Sequence, residues 1–356
     1  MRILSVVGAR PQFVKLAPID HAARAAGIEH IIVHTGQHYD PMLSDVFFEG
    51  LSISAPDVHL GVGSGTHGVQ TGKMLAQLDD VIADHAPDWV LVYGDTNSTL
   101  AAALSAVKQH VPVAHLEAGL RSFNRRMPEE HNRVLTDHAA DLLLSPTQVA
   151  MDHLASEGLA GRSVLVGDVM TDVLYATRDA LAQNNRLGDE LGLGKGGFQV
   201  ATIHRADNTD DPTRLREILD ALGSLEHPTV LLAHPRLVSR AADIGIDLSP
   251  AARRDDNLVV HEPLSYDDLI AAVLSSRHVI TDSGGLQKEA FLLRIPATTV
   301  RTETEWVETV ELGWNVLAPD TADLAALVSR PAPVATDTTP YGDGHAAARV
   351  IDALSR

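Results

Sequence analysis

Residues 278–289 read HVITDSGGLQKE, and this stretch contains the pattern from which the fold class can be predicted. The apolar run His278–Thr281 predicts a buried strand, and the glycines that follow predict a tight turn into a helix. Such a turn would bring the backbone N–H groups of Ser283, Gly284 and Gly285 to the positive end of the helix dipole, which makes it a candidate anion site. The alternative is that Ser283 only caps the helix.

The same order of strand, glycine turn and helix opens the chain, where Ile3–Val7 leads through Gly8 into the helical stretch Phe13–Ala26. Short apolar runs alternate with helix-length segments along the whole sequence, which predicts βαβ units and parallel sheets. The other predicted strands are Glu29–His34, Trp89–Tyr93, Val113–Leu116, Leu142–Leu144, Val164–Val166, Gln199–Ile203, Thr229–Ala233, Leu258–His261, Ala297–Val300 and Asn315–Leu317. We therefore predict an α/β protein with doubly wound sheets.

The chain is long enough for two domains, since 356 residues exceed the roughly 100–200 residues of one domain. The pattern pauses at the glycine-rich stretch Arg186–Gly197, which we interpret as a linker. We expect a Rossmann-like N-terminal domain over residues 1–168, on which the C-terminal helix at 344–356 packs back, and a C-terminal one over 169–343. Ligands of such folds bind at the carboxyl ends of the strands, which predicts a site in the cleft between the domains.

Composition excludes several classes of protein. The chain has 28 Lys and Arg against 47 Asp and Glu, a net charge of −19, so we expect no binding to nucleic acid or to an anionic membrane. It has no cysteine, which rules out disulfides and thiolate catalysis. No apolar run reaches the roughly 18 residues of a membrane span and no signal peptide is evident, so a cytoplasmic protein is expected.

The common cofactor fingerprints are missing as well. The sequence has no G-x-x-x-x-G-K-[ST] loop, no G-x-G-x-x-G after the first strand and no H-E-x-x-H. We therefore expect neither a nicotinamide or flavin cofactor nor a metal ion.

Acidic side chains follow two predicted strands and begin a helix. They are Asp95 in YGDTNST, Glu117 in HLEAGLRS and Glu129, beside Glu130, in MPEEHNR. Carboxylates that converge at one rim of a sheet are candidates for general acid and base catalysis. The alternative for each acid is a helix cap or a surface ion pair with a neighbouring arginine such as Arg133.

Basic side chains mark the same end of the predicted strands. Arg10 and Lys15 lie near the amino end of the first helix, where cations are unfavourable unless an anion joins them, so they predict an anionic ligand. His204 and His234 end predicted strands of the second half and would supply positive charge to a leaving phosphate. Glu289, about one and a half turns beyond the glycines, could accept hydrogen bonds from ribose hydroxyls.

Seven segments together resemble the non-hydrolysing UDP-N-acetylglucosamine 2-epimerase family: GARPQFVKLAP, VYGDTNSTLA, HLEAGLRS, MPEEHNR, TIHRADN, ITDSGGLQKEA and PYGDG. The resemblance implies a GT-B-like fold with the active site between two Rossmann-like domains. It also implies a homodimeric isomerase that acts on a UDP-sugar without metal or nicotinamide. UDP would leave by anti elimination, giving 2-acetamidoglucal, and would add back with the proton delivered to the opposite face.

The resemblance also implies the roles of individual residues. The catalytic residues would be Asp95, Glu117, Glu129 and His204. The substrate-binding residues would be Arg10, Lys15, Arg133, His234, Ser283, Gly284, Gly285 and Glu289. Among the latter, the residues of the 283–285 turn would hold the diphosphate with Arg10, and Glu289 would hold the ribose.

Three positions depart from the family pattern. Residues 305–308 read EWVE where many members have E-R-P-E, a form similar to a branch that includes UDP-2,3-diacetamido-2,3-dideoxyglucuronate 2-epimerases. Lys288 stands where some members carry Glu, and residues 37–40 read QHYD where allosterically activated members show a QHR-type run. The main hypothesis is interconversion of UDP-GlcNAc and UDP-ManNAc. The alternatives are the same reaction on the diacetamido-uronate, a GT-B glycosyltransferase, and a non-catalytic UDP-sugar sensor.

Overall fold

A computed structural model of the protein describes residues 1–37, 53–181, 184–249, 257–335 and 337–356, without the side chain of Arg10. The chain forms two compact units, of which the first comprises Met1–Tyr175 and Thr339–Arg356 and the second Ala176–Thr338. Each unit contains one parallel sheet with helices packed on it, so the α/β class and the GT-B-like fold predicted from the sequence are confirmed.

The first unit contains seven strands and seven helices within the described residues. The strands are β1 (Arg2–Val7), β2 (Glu29–His34), β3 (Val58–His59), β4 (Trp89–Tyr93), β5 (Val113–Leu116), β6 (Leu142–Ser145) and β7 (Ser163–Leu165). The helices are α1 (Arg10–Ala25), α2 (His67–His85), α3 (Asn97–Lys108), α4 (Pro128–Ala139), α5 (Gln148–Ser156), α6 (Val169–Leu181), which continues into the second unit, and α15 (Ala346–Leu354). The sheet order is β3-β2-β1-β4-β5-β6-β7. Successive strands are added on one side of β1 up to β3 and on its other side from β4 onward, so the strand order switches between the neighbours β1 and β4.

The second unit repeats this arrangement. Its strands are β8 (Gln199–Thr202), β9 (Thr229–Leu232), β10 (Leu258–His261), β11 (His278–Thr281), β12 (Ala297–Thr299) and β13 (Asn315–Leu317). Its helices are α7 (Arg186–Leu191), α8 (Ala206–Thr209), α9 (Pro212–Gly223), α10 (Pro235–Asp243), α11 (Tyr266–Ser275), α12 (Gly284–Leu292), α13 (Val307–Glu311) and α14 (Leu324–Val328). The sheet order is β10-β9-β8-β11-β12-β13, which places the same switch in strand order between β8 and β11.

The first sheet is covered on both faces because successive apolar side chains of a strand point to opposite sides. In β1, Leu4 and Val6 join one apolar cluster, whereas Ile3 and Val7 join the other. Helix α15 contributes Val350, Ile351 and Leu354 to the second of these clusters, and this burial ties the C-terminal segment to the first unit.

The chain passes between the two units after Tyr175 and after Thr338, within a few residues of the domain boundaries at 168 and 343 expected from the sequence, which stay a prediction. Close packing of Gly167 against Gly342 and a hydrogen bond from Asp168 N to Tyr341 O (3.0 Å) keep both crossing segments in the first unit. The interpretation of Arg186–Gly197 as a linker is wrong, because Arg186–Leu191 forms helix α7. Helix α7 packs in a cluster with Phe198.

Candidate active site

Asp95 and Glu117 follow adjacent strands of the first unit, because Tyr93 at the end of β4 pairs in register with Leu116 at the end of β5. Glu117 has a φ of +70°, a left-handed conformation that is rare for residues other than glycine. Gly94 has a φ of +61°, which favours glycine, and a Cβ on it would lie 3.1 Å from Glu117 Oε2, tighter than an ordinary contact. Backbone strain of this kind is concentrated at functional sites.

Lys15 forms an ion pair with Glu117. Its Nζ donates to Glu117 Oε2, and both side chains are largely buried. Burial by itself would lower the pKa of Lys15, but the charge of Glu117, followed by those of Asp168 and Asp95, raises it above the ordinary value. Lys15 therefore remains an ammonium at neutral pH and provides a fixed positive charge beside a candidate catalytic carboxylate.

Arg133 joins Asp95 to helix α4. Its Nη2 lies 2.6 Å and its Nε 3.0 Å from Asp95 Oδ2, while its Nη1 lies 3.0 Å from Glu130 Oε2. Arg133 therefore lies beside two of the acidic residues, Asp95 and Glu130, as the sequence predicted. In this structure the guanidinium orients Asp95.

The neighbours Glu129 and Glu130 have different surroundings. Glu130 is buried and accepts hydrogen bonds from the backbone N–H groups of Ser122 and Phe123, each at 2.8 Å. Burial by itself would raise the pKa of Glu130, but these hydrogen bonds hold it below its ordinary value. Glu129 is half-buried and, among the described residues, has no hydrogen bond or ion pair. Glu129 is therefore the one of the two that is available for proton transfer.

His204 follows β8 in the second unit and is oriented by Asp282, which follows the neighbouring strand β11. Asp282 is fully buried and accepts hydrogen bonds from the backbone N–H of His204 (3.0 Å) and of Arg205 (2.9 Å). His204 Nδ1 lies 3.2 Å from Asp282 Oδ1, which leaves Nε2 for a ligand. The ring of His234 lies 5.8 Å from that of His204, and its Nδ1 accepts from Arg236 N (3.2 Å).

The turn at 283–285 caps helix α12, and its role as an anion site stays a prediction. Ser283 caps α12, since its Oγ accepts from Leu286 N at 3.5 Å. Ser283 N donates to Thr281 Oγ1 (2.9 Å), so this amide is already used. The amides of Gly284 and Gly285 have no hydrogen bond among the described residues. Two free amides, rather than the three expected, therefore point from the helix N-terminus.

A cavity of about 360 Å³ in the second unit is lined by five of the site residues that were predicted from the sequence for this unit. The polar lining includes His204, His234, Ser283, Gly285, Glu289 and Tyr266, and the apolar lining includes Ile203, Leu232, Leu264, Leu269 and Leu286. The Tyr266 hydroxyl hydrogen-bonds the Glu289 carboxyl group, whose pKa burial raises. A polar rim beside an apolar floor suits a nucleoside diphosphate, whose base is flat and whose phosphates are charged.

The structure thus brings the predicted residues together in two groups, one in each unit. Arg10 begins helix α1, but its side chain lies outside the described residues, as do His38, Tyr39 and Asp40. No group of three or more His, Asp or Glu side chains suited to a metal ion occurs in the described ranges. In the same ranges, no helix is both long and apolar enough to cross a bilayer.

Four buried polar residues of these groups were not singled out from the sequence, namely Gln12, His115, Asp137 and Asp282. Gln12 Oε1 accepts from Gly8 N at 2.8 Å and its Nε2 donates to Tyr93 O, so it joins the turns after β1 and β4. Gln12, His115 and Asp282 lie inside the motifs quoted above, which was a usable signal. Asp137 follows His115 by 22 residues, lies outside those motifs and had no local signal.

A family model described as UDP-N-acetylglucosamine 2-epimerase matches residues 20–355. The chain is 46% identical to the UDP-2,3-diacetamido-2,3-dideoxy-D-glucuronate 2-epimerase of Pseudomonas aeruginosa, with 100% of both chains covered. It is 35% identical to the UDP-N-acetylglucosamine 2-epimerase of Methanocaldococcus jannaschii over 100% of this chain and 99% of the other. The solved structure of the latter enzyme has a TM-score of 0.88 at 34% identity, with 100% and 99% of the chains covered. The same enzyme in complex with UDP-GlcNAc and UDP matches over the same shares at a TM-score of 0.78 and 34% identity.

Proposed function

The chain belongs to the UDP-N-acetylglucosamine 2-epimerase family of isomerases, and on that premise we propose that it epimerises UDP-2,3-diacetamido-2,3-dideoxyglucuronate at carbon 2. The observation that carries this choice is the 46% identity to an enzyme named for that substrate, over the whole of both chains. The interconversion of UDP-GlcNAc and UDP-ManNAc, the main hypothesis from the sequence, becomes the second candidate. It has the support of a relative that is 35% identical over the whole chain.

Arginines of the second unit support a uronate substrate. Arg205, Arg214 and Arg301 line a separate cavity of about 390 Å³, together with Asp207 and Glu303. Glu305, in the segment that departs from E-R-P-E, accepts from Arg301 Nη1 at 2.8 Å and lies against Gly284. Arg301, and Arg205 at 3.9 Å, therefore pair with a carboxylate that lies beside the start of α12. A sugar carboxylate entering there would find the cations that Glu305 now neutralises.

The residue types fit elimination and re-addition. One carboxylate takes the proton from carbon 2 while the bond from carbon 1 to the phosphate oxygen breaks, and its electrons leave with UDP. The resulting double bond between carbons 1 and 2 is protonated at carbon 2 on the opposite face as UDP adds back. Asp95, Glu117 and Glu129 provide the acid and base groups, and Lys15 stabilises negative charge near them.

The cavity of the second unit accounts for the nucleotide in this proposal. The apolar floor packs against uracil, and Glu289 accepts from the ribose hydroxyls. The amides of Gly284 and Gly285, with His204 Nε2, hold the diphosphate so that UDP stays bound between the two steps.

Substrate identity can be tested by incubating the purified protein with each UDP-sugar at equal concentration and following epimerisation by proton NMR. We expect turnover of the diacetamido-uronate at least about tenfold faster than that of UDP-GlcNAc, because each discriminating charged contact is worth about 1.5–3 kcal/mol. Equal or faster turnover of UDP-GlcNAc would favour the second candidate instead. Turnover of neither sugar would contradict the proposed activity.

The homodimer and the cytoplasmic location expected from the sequence stay predictions. Sedimentation equilibrium of the purified chain checks the first, and fractionation of cells that express it checks the second.

A further inference from the structure

A buried histidine under the first group of site residues uses both ring nitrogens as donors. His115 is fully buried, with Nδ1 at 2.7 Å from Asp137 Oδ1 and Nε2 at 2.7 Å from the carbonyl oxygen of Gly94. A carbonyl only accepts, so Nε2 carries a hydrogen. Asp137 also accepts from Gly119 N (3.0 Å) and Arg121 Nη1 (2.7 Å), which are donors suited to a carboxylate. Nδ1 therefore also carries a hydrogen, and His115 is an imidazolium.

Neighbouring charges compensate this buried imidazolium. Burial by itself would raise the pKa of Asp137, but His115 and Arg121 hold it below its ordinary value. Arg121 also pairs with both carboxylate oxygens of Glu157, each at 2.8 Å, and His138 reaches Glu157 at 3.1 Å. Cations and carboxylates thus alternate around Asp137, which is the arrangement that makes buried charge tolerable.

This network connects the two turns that carry candidate acids. Gly94 directly precedes Asp95, and Gly119 follows Glu117 by two residues, so the His115–Asp137 pair holds both turns. Glu117 keeps its left-handed backbone only if its surroundings fix it. We infer that His115 and Asp137 form a positioning pair that sets the placement of the Asp95 and Glu117 carboxylates for proton transfer. The pair is fully buried, so it acts through these residues rather than on the substrate.

The inference rests on the proposed epimerase function for its kinetic test. Asp137→Asn removes the carboxylate with little change of shape. We expect kcat to fall about 10–100-fold, because misplacement by about 1 Å has such an effect, while the Kd for UDP stays within about twofold. We expect UDP affinity to be unaffected because neither His115 nor Asp137 lines the nucleotide cavity, which lies in the second unit.

The same unit offers a matched control in Asp20→Asn. Asp20 is also buried and pairs with a buried histidine, since its Oδ1 lies 2.9 Å from His30 Nδ1, but its other described contacts go to Ser54 and Arg24. We expect both variants to lower the melting temperature and only Asp137→Asn to lower kcat by more than about threefold. Unchanged kcat in Asp137→Asn, or equal losses in both variants, would overturn the inference.

A second measurement needs neither variant nor turnover. Nitrogen-15 NMR of the wild-type protein, with His115 assigned through its side-chain carbons, should show both ring nitrogens protonated in the folded protein. An unprotonated nitrogen at neutral pH would refute the imidazolium, and with it the pair. Because this readout is independent of substrate, a wild-type protein without epimerase activity would count against the proposed function alone.

Discussion

Lys15 and Glu117 form a mostly buried ion pair, in which a cation from the first helix meets a carboxylate whose backbone is left-handed. The two residues are 102 positions apart and come from different βαβ units of one sheet. Their contact is possible because β1, β4 and β5 are neighbours, which brings the ends of these strands to one rim.

Lys15→Met should destabilise the protein, because it leaves the carboxylate of Glu117 mostly buried without its partner. Removing one member of a buried pair typically costs about 3 kcal/mol of unfolding free energy. The pKa of Lys15 is raised in the folded state, so its contribution is fully present below the unfolded value of 10.5 and is lost as pH rises through the folded value. Urea unfolding at pH 8 and pH 11 should therefore show a larger alkaline loss for wild type than for the variant. An identical loss in both would contradict the role of the pair.

Replacement of Asp95, Glu117 or Glu129 by its amide should lower turnover by about 10²–10⁴-fold, the usual contribution of a positioned acid or base. UDP affinity should change little, since these groups act on a moving proton. Steady-state kinetics and calorimetric titration with UDP measure the two quantities. The exposed acid Asp80, replaced by Asn, provides the control, and a Glu129→Gln enzyme as active as this control would remove Glu129 from the mechanism.

Gly284→Ala should weaken UDP binding at least about tenfold, which corresponds to about 1.4 kcal/mol. The added Cβ would displace Glu305 Oε1 and would stand beside the free amide of Gly284, where it would keep a phosphate from approaching the backbone closely. Gly72→Ala is a suitable control, because a Cβ there would meet no atom within 4 Å. Unchanged UDP affinity in Gly284→Ala would show that the amides of α12 do not hold the diphosphate.

Epimerisation in heavy water should place deuterium at carbon 2 of the product, because elimination and re-addition exchange that hydrogen with solvent. Prolonged incubation should also release free UDP and the glucal, the products of incomplete re-addition. NMR and mass spectrometry of the product measure both. Retention of the original hydrogen at carbon 2 would rule out the elimination route and the roles of the three acids.

Local sequence was sufficient to predict the α/β class and the positions of most strands. Runs of four to six apolar residues such as β1 and β4 are buried on both faces, and that requirement is visible without any partner. The turn into α12 at 283–285 was predictable for the same reason, since a strand end, two glycines and a helix start lie within a few residues. The acids were found because parallel strands place their following residues at one rim.

Long-range contacts decided the rest, because hydrophobic periodicity carries no information about which distant polar groups meet. Only the fold shows that Glu130 accepts hydrogen bonds from the backbone N–H groups of Ser122 and Phe123, whereas Glu129 has no hydrogen-bond partner among the described residues. The His115–Asp137 pair and the support of His204 by Asp282 likewise depend on neighbouring strand ends in the folded sheets. The sequence alone therefore specified the strands, helices and motif residues, whereas tertiary packing determined which polar side chains are satisfied inside the protein and which remain available for chemistry.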